Sequence, residues 1–271
     1  MRALLAALAL LAVLVQAPAR AAEPVRLLAA GSLREALGEV ARLYEARVGA
    51  RVEARFGPSG LLRDEIAGGA GADVFASANM EHPASLAAGG RYGPVVLFAR
   101  NRMCALARPG LDVAAETLVE RMLDPAVKLG TSTPRADPSG DYAWAVFRKV
   151  DGARPGSFAA LEAKALQLTG TAGAPPAGGR SVYSQIIADG RADLFLTYCT
   201  NALVATREVP GAGLVPLPAP IAVAADYGLT VAGQAGPEAS RFALFLLSAE
   251  AQGVLARYGF AAPTLPEAAA P

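Results

Sequence analysis

From Pro24 onward the chain alternates short apolar runs with stretches whose apolar residues fall every three or four positions. This is the pattern of a mainly parallel sheet with helices on its faces. Val25 to Ala30 is predicted as a strand, and Leu33, Leu37, Val40 and Tyr44 form one stripe of a helix. Val52 to Phe56 predicts a second strand, Leu61 to Ile66 a helix and Asp73 to Ala76 a buried third strand, so the segment opens as a βαβαβ unit. Val95 to Ala107 carries apolar pieces on both sides of Arg100-Asn101-Arg102, which suits a strand leaving one lobe and entering another. A second set follows, with Lys128 to Thr131 as a strand and Ser139 to Val150 and Phe158 to Leu168 as helices. Gly170 to Gly179 reads as a loop, Ser181 to Ala188 as a helix and Asp193 to Thr197 as a strand. Glu238 to Leu247 and Ala249 to Tyr258 form a helical pair ending at Gly259. No internal repeat is visible. Two α/β lobes joined by crossing strands fit this order better than one sheet, with lobe I over residues 22–102 plus 217–271 and lobe II over 103–216. Such a design places a ligand between the lobes.

The first 21 residues have a different character. Arg2, an unbroken apolar run from Ala3 to Val15 and the sequence Ala19-Arg20-Ala21 form an export leader with its cleavage site. The run is too short for a permanent membrane span, and no cysteine follows it to carry a lipid anchor. The mature chain is expected to begin at Ala22 and to diffuse freely in the periplasm. Its 25 Lys and Arg against 24 Asp and Glu become 23 against 24 once Arg2 and Arg20 leave with the leader. A nucleic-acid binder needs an excess of cations to displace counterions from phosphates, and there is none. One histidine, His82, and two cysteines leave no multi-histidine or four-thiolate metal site.

Three strand ends carry hydroxyls. Gly31-Ser32-Leu33-Arg34-Glu35 places Ser32 where an N-cap belongs and Glu35 where a capping box needs it. Pro58-Ser59-Gly60 and Ser77-Ala78-Asn79 follow the next two strands. Each admits two readings: a plain helix cap, or part of an anion site built from hydroxyls and amides at helix N-termini. Parallel strand ends point the same way, so Ser32, Ser59 and the Ser77-Ala78 amides are placed to converge. With no histidine among them, binding of a preformed oxyanion fits better than catalysis. In the second lobe Ser139 is another cap candidate. Arg180 is a solvated cation or a cleft residue, and Tyr198 a core tyrosine or a hydroxyl donor.

Ala30-Gly31-Ser32-Leu33, Pro58-Ser59-Gly60 and Gly71 to Ala78, with the ending Phe245 to Ser248 and Tyr258-Gly259-Phe260, resemble the periplasmic molybdate-binding proteins of ABC importers. More widely, they are similar to type II solute-binding proteins. The resemblance implies a tetrahedral oxyanion, molybdate or tungstate, bound without a cofactor. The Ser32, Ser59 and Tyr198 hydroxyls and the backbone at Ala78, Ser139 and Arg180 would hold it. The protein would be a monomer that delivers its ligand to an inner-membrane permease. Three positions depart from the family pattern. Arg180 stands where a small or apolar residue is usual, Cys199-Thr200-Asn201 follows Tyr198 in place of a glycine-led sequence, and Cys104 lies in the crossing strand. In an oxidising compartment two cysteines pair more often than not. A Cys104–Cys199 disulfide beside the cleft is therefore expected, with buried free thiols as the alternative. One rival is a sensor or binding protein of the same fold for a different anion, its specificity altered by Arg180 and the cysteine pair. The least supported is a hydrolase. G-x-S-x-G fails at Leu61, S-x-x-K and a P-loop are absent, and His82, read as an exposed helix-start residue, would have to serve as the base.

Overall fold

The computed structural model describes residues 23–171 and 179–263; the expected leader, most of the Gly-rich loop and the last eight residues lie outside the described residues. The first lobe opens with β1 (Val25–Ala30), α1 (Arg34–Val48), β2 (Val52–Gly57), α2 (Ser59–Ala67), β3 (Val74–Ser77) and α3 (Glu81–Ala88). The long β4 (Val96–Ala107) leads into α4 (Leu118–Leu123), β5 (Leu129–Ser132), α5 (Pro138–Ala153), α6 (Ser157–Lys164) and β6 (Leu166–Thr169). Then come α7 (Val182–Ala188), β7 (Leu194–Tyr198), α8 (Cys199–Glu208) and β8 (Gly213–Pro216). The chain returns through β9 (Ala224–Val231) to α9 (Pro237–Leu246) and α10 (Ala249–Arg257).

The strands form one curled sheet in the order β2-β1-β3-β9-β4-β7-β5-β6, with β8 also paired to β4. Strands β1 and β3 are almost wholly buried, whereas the edge strand β2 exposes Glu53 to Arg55. The sequence pattern anticipates this, since a strand covered on both faces reads as a continuous apolar run. Strand β4 changes partners along its length. From Val96 to Arg102 it pairs antiparallel with β9, and from Met103 to Ala107 with β7 on one side and β8 on the other. Strand β9 in turn pairs with β3. The two lobes are therefore connected through β4 and β9, which lie side by side. Cys104 on β4 and Cys199 at the start of α8 form the expected disulfide.

The helices cover the sheet with the faces their spacing dictates. Leu33, Leu37, Val40 and Tyr44 are all buried, and the Tyr44 ring packs edge-on against Phe242 of α9 while its hydroxyl donates to Glu238. In the second lobe Ala143, Val146, Phe147 and Val150 form the buried face of α5.

One expected helix is too long. Phe158 to Leu168 is not continuous: α6 ends at Lys164, Ala165 is extended, and Leu166–Thr169 is a strand that pairs in parallel with β5. Leu166-Gln167-Leu168-Thr169 alternates apolar and polar residues, and pairing with β5 outweighs the local helix propensity. Three expected caps also differ. Ser32 lies in a 3-10 turn before α1 and makes no capping bond, so the capping box does not form. Ser59 is the first residue inside α2, after Pro58. Ser139 is inside α5, whose cap is Asp137.

Candidate functional site

The C-terminal ends of β1, β2, β3 and β7 open on a cleft of about 680 Å³ between the lobes. From the first lobe Ser32, Arg34, Glu35, Arg55 and Ala78 line it, and from the second Asp137, Arg180, Tyr198, Thr200 and Glu208. The lobes touch at its inner end. The Gly60 N–H donates to the Ala136 carbonyl at 3.0 Å, and the Tyr142 hydroxyl donates to the Ala78 carbonyl at 3.3 Å. Gly60 permits this approach because a Cβ there would lie 2.3 Å from the Arg135 carbonyl oxygen.

The residues expected from the sequence fall into three groups. Ser32, Ala78 and Tyr198 line the inner wall of the cleft. Ser59 and Ser139, 1% and 0% exposed, sit one residue behind the wall. Ser59 Oγ accepts the Ala78 N–H at 3.2 Å, and the Ser139 N–H donates to the Asp137 carboxylate at 3.1 Å. Aromatic contacts link them further. Tyr142 packs against Tyr198, and Tyr198 against Tyr227, whose hydroxyl is 2.9 Å from Ser32 Oγ. Arg180 stands apart, exposed on the rim next to Ser181, the cap of α7. At that helix start the Ser181 N–H is taken by Glu208 at 2.8 Å.

Two hydroxyls of this set are buried with no hydrogen-bond partner among the described residues, those of Ser139 and Tyr198. Buried polar groups are almost always paired, so the orphaned hydroxyl of Tyr198, a residue that lines the cleft, marks a place where something polar belongs. Burial pushes the pKa of Tyr142, Tyr198 and Tyr227 well up, so all three remain protonated and able to donate. Asp137 is the opposite kind of group. Burial pushes its carboxyl up to about 6 against the stabilising bonds from the Ser139 amide and the Ser132 hydroxyl. Around the rim the charges alternate, with Arg34, Arg55 and Arg180 set against Glu35 and Glu208.

His82 is not the exposed residue expected. It is partly buried at the start of α3, its Nε2 has no partner, and burial together with the nearby Arg63 charge lowers its pKa. It is not among the residues lining the cleft. Among the described residues no three His, Cys, Asp or Glu side chains group as a metal site, and no helix is long and apolar enough to cross a membrane.

Residues 25–261 match the family of bacterial extracellular solute-binding proteins. The chain belongs to that family. An uncharacterised Pasteurella multocida protein is 36% identical to it over 181 residues, 65% of this chain and 74% of its own. Among solved structures, the periplasmic molybdate-binding protein of Azotobacter vinelandii superposes with a TM-score of 0.72 at 19% identity, covering 89% of this chain and 100% of its own. PEB3 of Campylobacter jejuni with L-phospholactate bound superposes at 0.66 and 18% identity, covering 87% and 98%. At these identities the likeness establishes the fold, the two-lobed type II periplasmic-binding-protein architecture.

Sequence reasoning missed several residues of this solute-binding protein's cleft. Asp137 carries a local signal, since Asp before Pro is the start of a helix with proline in its first turn. Tyr142, Tyr227 and Asn101 carry none. They stand behind the cleft wall and touch its residues Ala78, Tyr198 and Thr200 through interlobe and interstrand packing, which no short window of sequence shows.

Proposed function

We propose that this protein captures a tetrahedral oxyanion, molybdate or tungstate first, between its lobes in the periplasm and delivers it to the permease of an ABC importer. The observation that carries this reading is the buried Tyr198 hydroxyl, without a partner among the described residues, in the same cleft wall as Ala78, whose amide donates to Ser59. An anion leaving water loses a large hydration energy, and fixed neutral donors replace it without a counter-charge. Each hydrogen bond to a charged group contributes roughly 1.5–3 kcal/mol net. Because the donors are fixed, they measure oxygen positions. Sulfate, with its shorter bonds, leaves some donors unpaired, and this penalty supplies the selectivity. Contacts from both lobes favour the closed form, the shape that a permease recognises. The protein acts as a monomer, and no cofactor enters this scheme.

Calorimetric titration of the ligand-free mature protein with molybdate, tungstate, sulfate, phosphate and chromate tests the reading. Tight binding of the first two with no heat from sulfate is the expected result. Absence of heat from every anion overturns it.

The cleft itself favours a second reading. Its volume of about 680 Å³ lies in the range of sites for small organic molecules, and Arg34, Arg55 and Arg180 on its rim suit an anion with an organic body. Such a ligand would place its oxyanion head at the same hydroxyls, and the receptor could then be a sensor instead of a permease. Phospholactate added to the same titration separates the two, since only the second reading expects it to bind more tightly than molybdate.

A further inference from the structure

Ser32 and Thr200 face the cleft from opposite lobes, and one chain of hydrogen bonds joins them through both connecting strands. Ser32 Oγ lies 2.9 Å from the Tyr227 hydroxyl on β9. The side-chain amide of Asn101 on β4 donates to Tyr227 Oη at 3.3 Å and to Thr200 Oγ1 at 2.9 Å. Tyr227, Asn101 and Thr200 are all buried.

Asn101 fixes the direction of every bond in this chain. Its carbonyl oxygen accepts the Arg102 backbone N–H at 2.9 Å, so its NH2 group is the part that meets Tyr227 and Thr200. An amide NH2 only donates. Tyr227 Oη and Thr200 Oγ1 therefore both accept from it. The Tyr227 hydrogen then has Ser32 Oγ as its acceptor, and Ser32 in accepting it keeps its own hydrogen free. Thr200, accepting from Asn101 and from no other described group, keeps its hydrogen free in the same way. Both ends of the chain are thus left as donors at the cleft wall. Reversing the central group would turn both hydrogens inward.

We propose, building on the oxyanion reading above, that Thr200 is a further anion-binding residue and that Asn101 is a positioning residue that orients the Ser32 and Thr200 hydroxyls as donors to the anion. The two lobes thereby present donors of one polarity from a single buried source on the connecting strand.

Molybdate titrations of the full mature chain test this. Thr200→Val keeps the shape and removes the donor, and it is expected to weaken binding at least about tenfold, the worth of one bond to a charged group. Asn101→Asp turns the central donor into an acceptor and is expected to weaken binding about a hundredfold or more. Part of that loss is plain charge repulsion, which a Ser32→Ala/Thr200→Val background isolates. There the same substitution is expected to cost about tenfold less than in the wild-type background. Asn101→Leu, which deletes the donors without supplying an acceptor, is expected to cost less than Asn101→Asp. Wild-type affinity in Thr200→Val overturns the first part of the proposal, and an equal cost of Asn101→Asp in both backgrounds overturns the second. Should Asn101→Asp fail to fold, shown by loss of its cooperative melt, Asn101→Leu in the same two backgrounds tests the second part, and an equal cost in both overturns it. If the wild-type protein binds none of the oxyanions, the oxyanion reading fails and takes this inference with it. If it binds molybdate and Thr200→Val changes nothing, this inference alone fails.

Discussion

Replacing Tyr198 by phenylalanine is expected to move stability and affinity in opposite directions. The Tyr198 hydroxyl is buried and has no partner among the described residues. Folding removes it from water with nothing in return, at a cost of about 1–3 kcal/mol. Tyr198→Phe removes that cost, and the ring contacts to Tyr142 and Tyr227 remain. The ligand-free variant should therefore be as stable as the wild type, or more stable by up to about 2 kcal/mol, or some 4–8 °C in melting temperature for a chain of this size. With anion bound, the same hydroxyl is a donor to a charged group, and its loss should weaken binding by roughly 10- to 150-fold. Tyr227 is the control. Its hydroxyl meets both the half-buried Ser32 and the buried Asn101, so Tyr227→Phe strands one N–H of Asn101 and should cost the ligand-free protein about 1–3 kcal/mol. Equilibrium urea unfolding of both variants, with molybdate titration of each, makes the comparison. A Tyr198→Phe protein destabilised by more than 1 kcal/mol would mean that the hydroxyl has an internal partner. Wild-type affinity in the same variant would mean that no ligand reaches it. Either result refutes the argument.

Asp137→Asn should change the pH dependence of stability. The folded carboxyl titrates at about 6 against an ordinary 3.8, so the folded state holds its proton more tightly and the associated stability, at most about 3 kcal/mol, is present below pH 4 and lost as pH rises through 6. Asparagine caps a helix as well as aspartate does, so the variant should be the more stable protein at pH 7.5 and flat where the wild type slopes; parallel curves from pH 4 to 7.5 would exclude this. The Cys104–Cys199 bridge closes a loop with a sequence separation of 95, and replacing both cysteines by alanine should cost about 2–5 kcal/mol in urea unfolding, with an unchanged midpoint counting against it. Gly60→Ala puts a Cβ 2.3 Å from the Arg135 carbonyl oxygen across the lobe contact. It should hold the lobes apart and weaken molybdate binding at least about tenfold, and unaltered affinity would show that this contact plays no part in closure.

The elements readable in the sequence are those whose signal is local. The α1 stripe from Leu33 to Tyr44 is spaced to one helix face, and the buried runs of β1 and β3 are too apolar to sit elsewhere. The crossing strand was visible because apolar pieces flank Arg100-Asn101-Arg102, and β4 spans that polar centre while changing partners. What failed had a tertiary cause. Leu166–Thr169 is a strand because β5 lies beside it, and Ser32 leaves its capping role because Tyr227, 195 residues away, offers its hydroxyl a partner. Of the site, the serines and Tyr198 could be named because they sit at strand ends and helix starts. Asn101 and Tyr227 could not, since each matters through a neighbour distant in sequence.

The bonds within the site decide how unequal its donors are. The Ala78 amide is already held by Ser59 and the Ser139 amide by Asp137. For an amide in this position, binding an anion exchanges one hydrogen bond for a stronger one, and the net gain is only the difference between them. The Ser139 and Tyr198 hydroxyls give up nothing, because they have no partner to lose. Ser59 goes further in the other direction, since deleting its oxygen releases the Ala78 N–H to the anion and offsets part of the loss. Removing the Ser139 hydroxyl should therefore cost more affinity than removing that of Ser59, although both serines are equally buried and both stand at helix starts. Comparing Ser139→Ala with Ser59→Ala in one molybdate titration checks the order, and the reverse order would mean that the anion contacts the Ser59 hydroxyl directly and leaves the Ala78 amide where it is. The affinity of this cleft follows from which donors are idle before the ligand arrives, and a count of donors alone would miss it.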